Sequence, residues 1–175
     1  TAVSFSGSGI GLSDIYPIID TILYVTPNGS DSNTGKELGE AKRTIGSALT
    51  AATTGTLIKV SAGSYIENNP LEVPNQVSIV GESLREVNVS PQNANQDLFH
   101  VLEGNYISDM SFTGTLNAGK AVFAFDPDNV GFSSQSPYIQ NCTNFIPNSM
   151  GMKIDGSRCV GNLKSMVVDS YTQYN

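Results

Sequence analysis

From residue 57 onward the apolar residues fall into short runs separated by turn formers: Leu57 to Val60, Val77 to Val80, Val87 to Val89, Leu98 to Val101, Ile107 to Phe112 and Ala121 to Phe125. Runs of this length at intervals of ten or so residues predict short strands, and suit a sandwich, a barrel or a solenoid alike. Internal similarity chooses among them. Ile58-Lys59-Val60 and Val77-Ser78-Ile79 alternate in the same way, 19 residues apart, each followed by a glycine, Gly63 or Gly81. Further on, Ile107-Ser108-Asp109, Ile139-Gln140-Asn141 and Val167-Val168-Asp169 each place an apolar residue two positions before Asp or Asn, at spacings of 32 and 28. Stacked coils give such a repeat a purpose, because an inward Asn or Asp at a bend can bond its neighbour's backbone about 4.8 Å away. Coils with outward loops of unequal length also tolerate unequal spacing, since each contacts only its neighbours. The fold expected is all-β: a right-handed parallel β-helix over residues 57 to 175, running on past Asn175, with an apolar interior containing Ile58, Val60, Val77, Ile79, Ile107 and Ile139.

Ahead of the strands the period changes. Ile45, Ala48, Leu49 and Ala52 recur at helical spacing, so residues 42 to 54 are expected to form one helix, ended by Gly55. A solenoid with an open end exposes its interior and its strand edges. The helix is the natural cap, and residues 24 to 56 are read as strand, loop and cap. The loop is Pro27 to Gly35, dense in turn formers. Residues 1 to 23 combine Gly and Ser with an apolar patch of Ile15, Ile18, Ile19, Ile22 and Leu23. They are expected to be a flexible arm that docks on a neighbouring subunit or on the flank of its own chain.

Composition narrows the partners. Nine Lys and Arg stand against 16 Asp and Glu, a net charge of -7, which disfavours nucleic acid and anionic membrane. No apolar run reaches the ~18 residues of a membrane helix. Ser, Thr and Asn fill 50 of the 175 positions, a profile that favours turns and strands over helical surfaces. Cys142 and Cys159 lie among apolar or small residues and read as unpaired buried thiols.

Tyr24-Val25, Asn28-Gly29-Ser30-Asp31, Gly35, Thr44-Ile45, Ala48, Ile58, Val60, Gly63-Ser64-Tyr65 and Glu67-Asn68, read together, resemble the opening of pectin-lyase-like β-helix proteins. The resemblance spans residues 24 to 68. The stretch from Gly55 to Asn175 also looks like β-helical virion structural proteins of large tailed phages of marine cyanobacteria. That superfamily includes lyases, hydrolases, adhesins and tail spikes, so the fold names no activity.

The residues must supply the chemistry, and few combine. Asp126 and Asp128 could hold a carboxylate pair at about 6 to 7 Å, within the range glycosidases use, although a solvated turn around Pro127 is the preferred reading. Glu82 and Glu86 flank Arg85 and read as a surface ion pair. His100 is the only histidine, and alternation points it away from Phe99 and Val101, outward. Asp31 to Gly35 faintly matches a calcium loop, but Lys42 stands where the bidentate acid belongs. Gly114 to Ala121 nearly matches a phosphate loop, yet it ends in Ala and leads into a strand. No catalytic, cofactor or metal site is assigned.

The function expected is therefore a non-enzymatic structural or attachment module of a phage virion, in a tail fibre, spike or similar appendage. Its partners would be other virion proteins, its own copies in an oligomer such as a trimer, and host surface polysaccharide. The alternatives are a polysaccharide-binding or polysaccharide-degrading spike or lyase whose active site lies outside this segment, and a bacterial surface adhesin.

Overall fold

The computed structural model describes residues 19–102, 104–125, 137–153 and 167–172. Strand β1 (Thr21–Val25) is followed by a 3-10 turn at Leu38–Glu40 and by helix α1 (Ile45–Ala51). Three short strands come next: β2 (Thr56–Val60), β3 (Gly63–Glu67) and β4 (Leu71–Glu72). The chain then repeats the course with β5 (Ser78–Gly81), β6 (Val87–Pro91) and β7 (Phe99–Val101). Longer strands carry the third and fourth levels, β8 (Tyr106–Phe112) with β9 (Ala121–Phe125), and β10 (Tyr138–Asn144) with β11 (Met150–Lys153). Strand β12 (Val167–Thr172) begins a fifth.

Every strand pairing among the described residues is parallel. One curled sheet of eight strands runs β1-β2-β5-β8-β10-β12, with β3 and β6 joining at the side through β8. A second sheet of four runs β4-β7-β9-β11. The fold is thus mostly β, with parallel strands stacked level on level and little helix.

Alternation creates the core. Leu23, Ile58, Ile79, Ile107 and Ile139 are successive register partners, and all are buried. On the second sheet Leu71, Phe99 and Phe123 stand in one column. The rings of Phe99 and Phe123 stack at 5.5 Å, and Phe112 meets both edge-on at 5.9 and 5.2 Å. Such aromatic pairs add about 0.5–1.5 kcal/mol each beyond the area they bury. All six interior residues expected from the sequence are buried.

The register differs from the sequence reading. Ile58 pairs with Ile79 and Val60 with Gly81, so the first two levels are offset by 21 residues rather than 19. Gly63 is therefore no counterpart of Gly81; it pairs with Val87. Ile107 and Ile139 do align, but Val168, not Val167, partners Ile139, because Asn141 has no counterpart on β12. For Ile58 the slip is of two residues, which leaves the alternation of side chains unchanged, so pattern alone could not set that register.

The helix is shorter than expected. Residues 42 to 44 and 52 to 54 lie outside it, and Ala52 is its half-buried C-cap in extended conformation. Ile45, Ala48 and Leu49 are buried against the sheets. The loop before the helix shares the capping role: Tyr24 N–H donates to Gly35 O, Lys42 N–H to Tyr24 O and Thr26 N–H to Lys42 O, which closes the free edge of β1. Ile22 and Leu23, read with the arm, belong to β1, and Leu23 is in the core; Ile19 is exposed. Ile15 and Ile18 lie outside the described residues.

Thr44 caps the helix with its side-chain oxygen, which accepts from Ser47 N–H at 3.1 Å. Thr44→Ala is expected to lower stability by about 1 kcal/mol in guanidinium unfolding. An unchanged midpoint would remove Thr44 from the cap.

Candidate functional site

Several charged side chains bond backbone, and the cap region shows it best. Asp31 accepts from Arg43 N–H, Thr44 N–H and the Thr44 hydroxyl at 2.9 to 3.0 Å. Burial pushes the Asp31 carboxyl up, but those bonds, with Lys42 nearby, outweigh it and hold the group below its ordinary value. Lys42 places its ammonium on the carbonyls of Asn33 (2.8 Å) and Asp31 (3.3 Å). The calcium-like loop is thus closed by a lysine in the middle of its own carbonyls.

Glu67 completes this arrangement. Tyr65 and Glu67 share the inward side of β3, and Glu67 is 1% exposed. Its carboxylate accepts from Ile45 N–H at 2.7 Å and Gly46 N–H at 3.0 Å. With Thr44 on Ser47, the first three helical N–H groups all find side-chain acceptors. Burial raises the Glu67 carboxyl despite these two bonds, and the neighbouring Asp31 adds to the rise. Burial also pushes the Tyr65 phenol up to about 12; its hydroxyl donates to Ser61 O. The sequence held one signal for Glu67, a charged residue at an inward position of an alternating strand.

The outer face of the second sheet carries the other cluster. Glu72, His100, Ala124 and Lys153 are successive register partners on β4, β7, β9 and β11. His100 Nδ1 lies 2.9 Å from Glu72 Oε1, and its Nε2 lies 3.7 Å from Asp97 Oδ2. Lys153 Nζ reaches the same Asp97 oxygen at 3.1 Å, passing the small Ala124, while Asp97 Oδ1 accepts from Ala121 N–H. His100 therefore points away from Phe99 and Val101 as alternation requires, yet it is covered on the outside rather than free. Asp97 and Lys153 are 56 residues apart, so no local pattern could bring them together. Chemically, the cluster sets an imidazole hydrogen-bonded to Glu72 beside an Asp97–Lys153 ion pair.

Other candidate residues separate. Glu82 accepts from Ala62 N–H, and among the described residues Arg85 makes no ion pair. Cys142 is a buried free thiol pushed up to about 12 by burial. Asp126, Asp128 and Cys159 lie outside the described residues. Among those described, no three His, Cys, Asp or Glu gather as a metal group, and no helix is long and apolar enough to cross a membrane.

One family matches the chain, described as "Protein of unknown function (DUF1565)", over residues 27–116. The chain belongs to the DUF1565 family. No curated protein and no solved structure matches it. DUF1565 is associated with β-helix-like proteins, and the matched segment runs from the loop after β1 to the turn beyond β8. It therefore contains the whole cap and the Glu72–Asp97–His100 part of the cluster; Lys153 lies past its end.

Proposed function

We propose that this DUF1565 chain is a non-enzymatic structural and attachment module built on a right-handed parallel β-helix, of the kind that tailed phages carry in tail fibres and spikes. The observation that supports it most is the way buried polar side chains tie one level to the next. Asn69 Nδ2 donates to Asn93 O and Asp97 O in the following level, and Asn69 Oδ1 accepts from Asn93 N–H. Asn105 Nδ2 donates to Pro74 O in the level before, and the Ser111 hydroxyl to Leu84 O. Each such bond fixes neighbouring levels as well as satisfying a buried group, and the product is a stiff column suited to bearing load. Its partners would be other virion proteins, its own copies, and host surface polysaccharide.

Gold-labelled antibody against the chain, applied to phage particles from cultures that make it, is expected to mark the tail appendages. Label confined to cell envelopes would overturn the virion reading in favour of an adhesin.

A second reading, a polysaccharide-degrading spike, is favoured by the Glu72–His100–Asp97 cluster, where a proton donor and acceptors meet on an outer face. It requires release of reducing or unsaturated ends from surface polysaccharide, and loss of that release in His100→Ala. The structural reading expects neither.

A further inference from the structure

A groove of about 650 Å³ opens beside the cap, between the helix N-terminus and the outer side of β3 and β4. Ligand pockets typically fall between about 300 and 1,000 Å³. Its lining has carboxylates from Asp31, Glu67 and Glu72 and contains no lysine, arginine or histidine.

The carboxylates are largely occupied. Asp31 and Glu67 are committed to backbone N–H groups, and Glu72 reaches His100. Beside the exposed Asp31 and Glu72 carboxylates, what the groove offers a visitor is neutral: the Ser47 hydroxyl, which donates to Asp31 O at 3.5 Å and can accept, and the exposed Asn68 and Gln92 amides, each able to donate and accept. Beside them lies apolar surface, with Ile66 standing 72% exposed on β3 and Pro70 next to it.

We propose that this groove binds a neutral oligosaccharide, whose hydroxyls meet the Ser47, Asn68 and Gln92 side chains while a C–H face of the sugar rests on Ile66. The inference rests on the attachment reading and deepens it by naming where a surface polysaccharide is held. An anionic sugar fits poorly, because the lining has no cation to pair it and the exposed Asp31 and Glu72 carboxylates to repel it. A basic peptide is the alternative that the test must separate, because only Glu67 of the three carboxylates lies inside the wall. None of the groups named lies in the Glu72–His100–Asp97 cluster on the outer sheet face except Glu72, which borders both.

The test titrates the full chain with neutral hexose oligosaccharides, matched uronic-acid oligosaccharides and oligolysine, following backbone amide shifts by NMR. Neutral sugars are expected to move the amides of Ser47, Ile66, Asn68 and Gln92 at millimolar concentration, with uronic-acid oligosaccharides roughly tenfold weaker or silent. Asn68→Ala with Gln92→Ala, both exposed and outside the core, should weaken binding roughly tenfold while leaving the melting temperature unchanged. Three results would overturn the proposal: silence of these amides with every neutral sugar, tighter binding of oligolysine, or neutral-sugar shifts confined to another face. The last would leave the attachment reading standing while removing this groove from it. Gold label on cell envelopes alone would fell the virion reading and leave the groove intact.

Discussion

Glu67→Ala is expected to cost about 3 kcal/mol of unfolding free energy, more than any other single truncation in the cap. The change removes the acceptor from two helical N–H groups, Ile45 and Gly46, at a site closed to solvent. It also leaves a hole between helix and sheet. Urea unfolding of the two proteins measures the difference; a loss below about 1 kcal/mol would mean water takes over both bonds, as at an open site. Charge is separable from packing. Because the folded Glu67 carboxyl is raised above its unfolded value, its contribution is fully present below the ordinary glutamate range and is lost as pH rises through the folded value. Asp31 is lowered, so its contribution runs the other way, present above the ordinary aspartate range and lost on acidification. Against the parent, Glu67→Gln and Asp31→Asn should therefore show stability differences with opposite pH slopes through the acid range. Parallel slopes would contradict the assignment.

Gly81→Val is expected to cost about 3 kcal/mol and to lower the melting temperature by well over the change at a control glycine. Gly81 ends β5 beneath the bend of the next level, where Asp109 takes the left-handed conformation at φ 60°. A Cβ on Gly81 would stand 2.0 Å from the Asp109 carbonyl oxygen, which belongs to backbone and cannot swing aside. The levels must part or the bend must open. Gly39, where an added Cβ meets nothing within 4 Å, is the control, and Gly39→Ala should change stability by no more than about 0.5 kcal/mol. Equal melting of both variants would show that the levels are not packed at this bend.

The sequence disclosed the interior better than the alignment of its parts. Ile58, Ile79, Ile107 and Ile139 were legible because burial on alternate positions leaves a mark in a single strand. Pairing leaves no such mark: Ile58 matched against Val77 or against Ile79 buries the same side of β2. Strands β3 and β4 escaped because each is interrupted by polar residues, Ser64 and Glu67 in one and Glu72 in the other. Glu67 entered only through the resemblance, and its role was hidden because its partners are backbone N–H groups from a helix 21 and 22 residues earlier. The cluster around Asp97 was invisible for the same reason: Lys153 arrives from two levels away. His100 could be given a direction by alternation, but not its neighbours. Asn141 and Asp109 were noticed as a recurring pair expected to point inward and bond backbone; instead Asn141 is exposed and its bond is to a side chain. Both take positive φ at the bend in their strands, and the Asn141 amide bonds the Asp109 carboxylate across the levels.

The register path from Ile58 through Ile79, Ile107 and Ile139 to Val168 advances by 21, 28, 32 and then 29 residues. What recurs in this molecule is a location, reached after whatever length of chain the outside of each level happens to use. A method that looks for a constant interval would therefore find no repeat, although every pass brings a residue into register with one on the pass before it. For an engineer the same fact is permission: the turns between levels can be lengthened, and new recognition surface hung from them, at a cost that grows only with the logarithm of the loop.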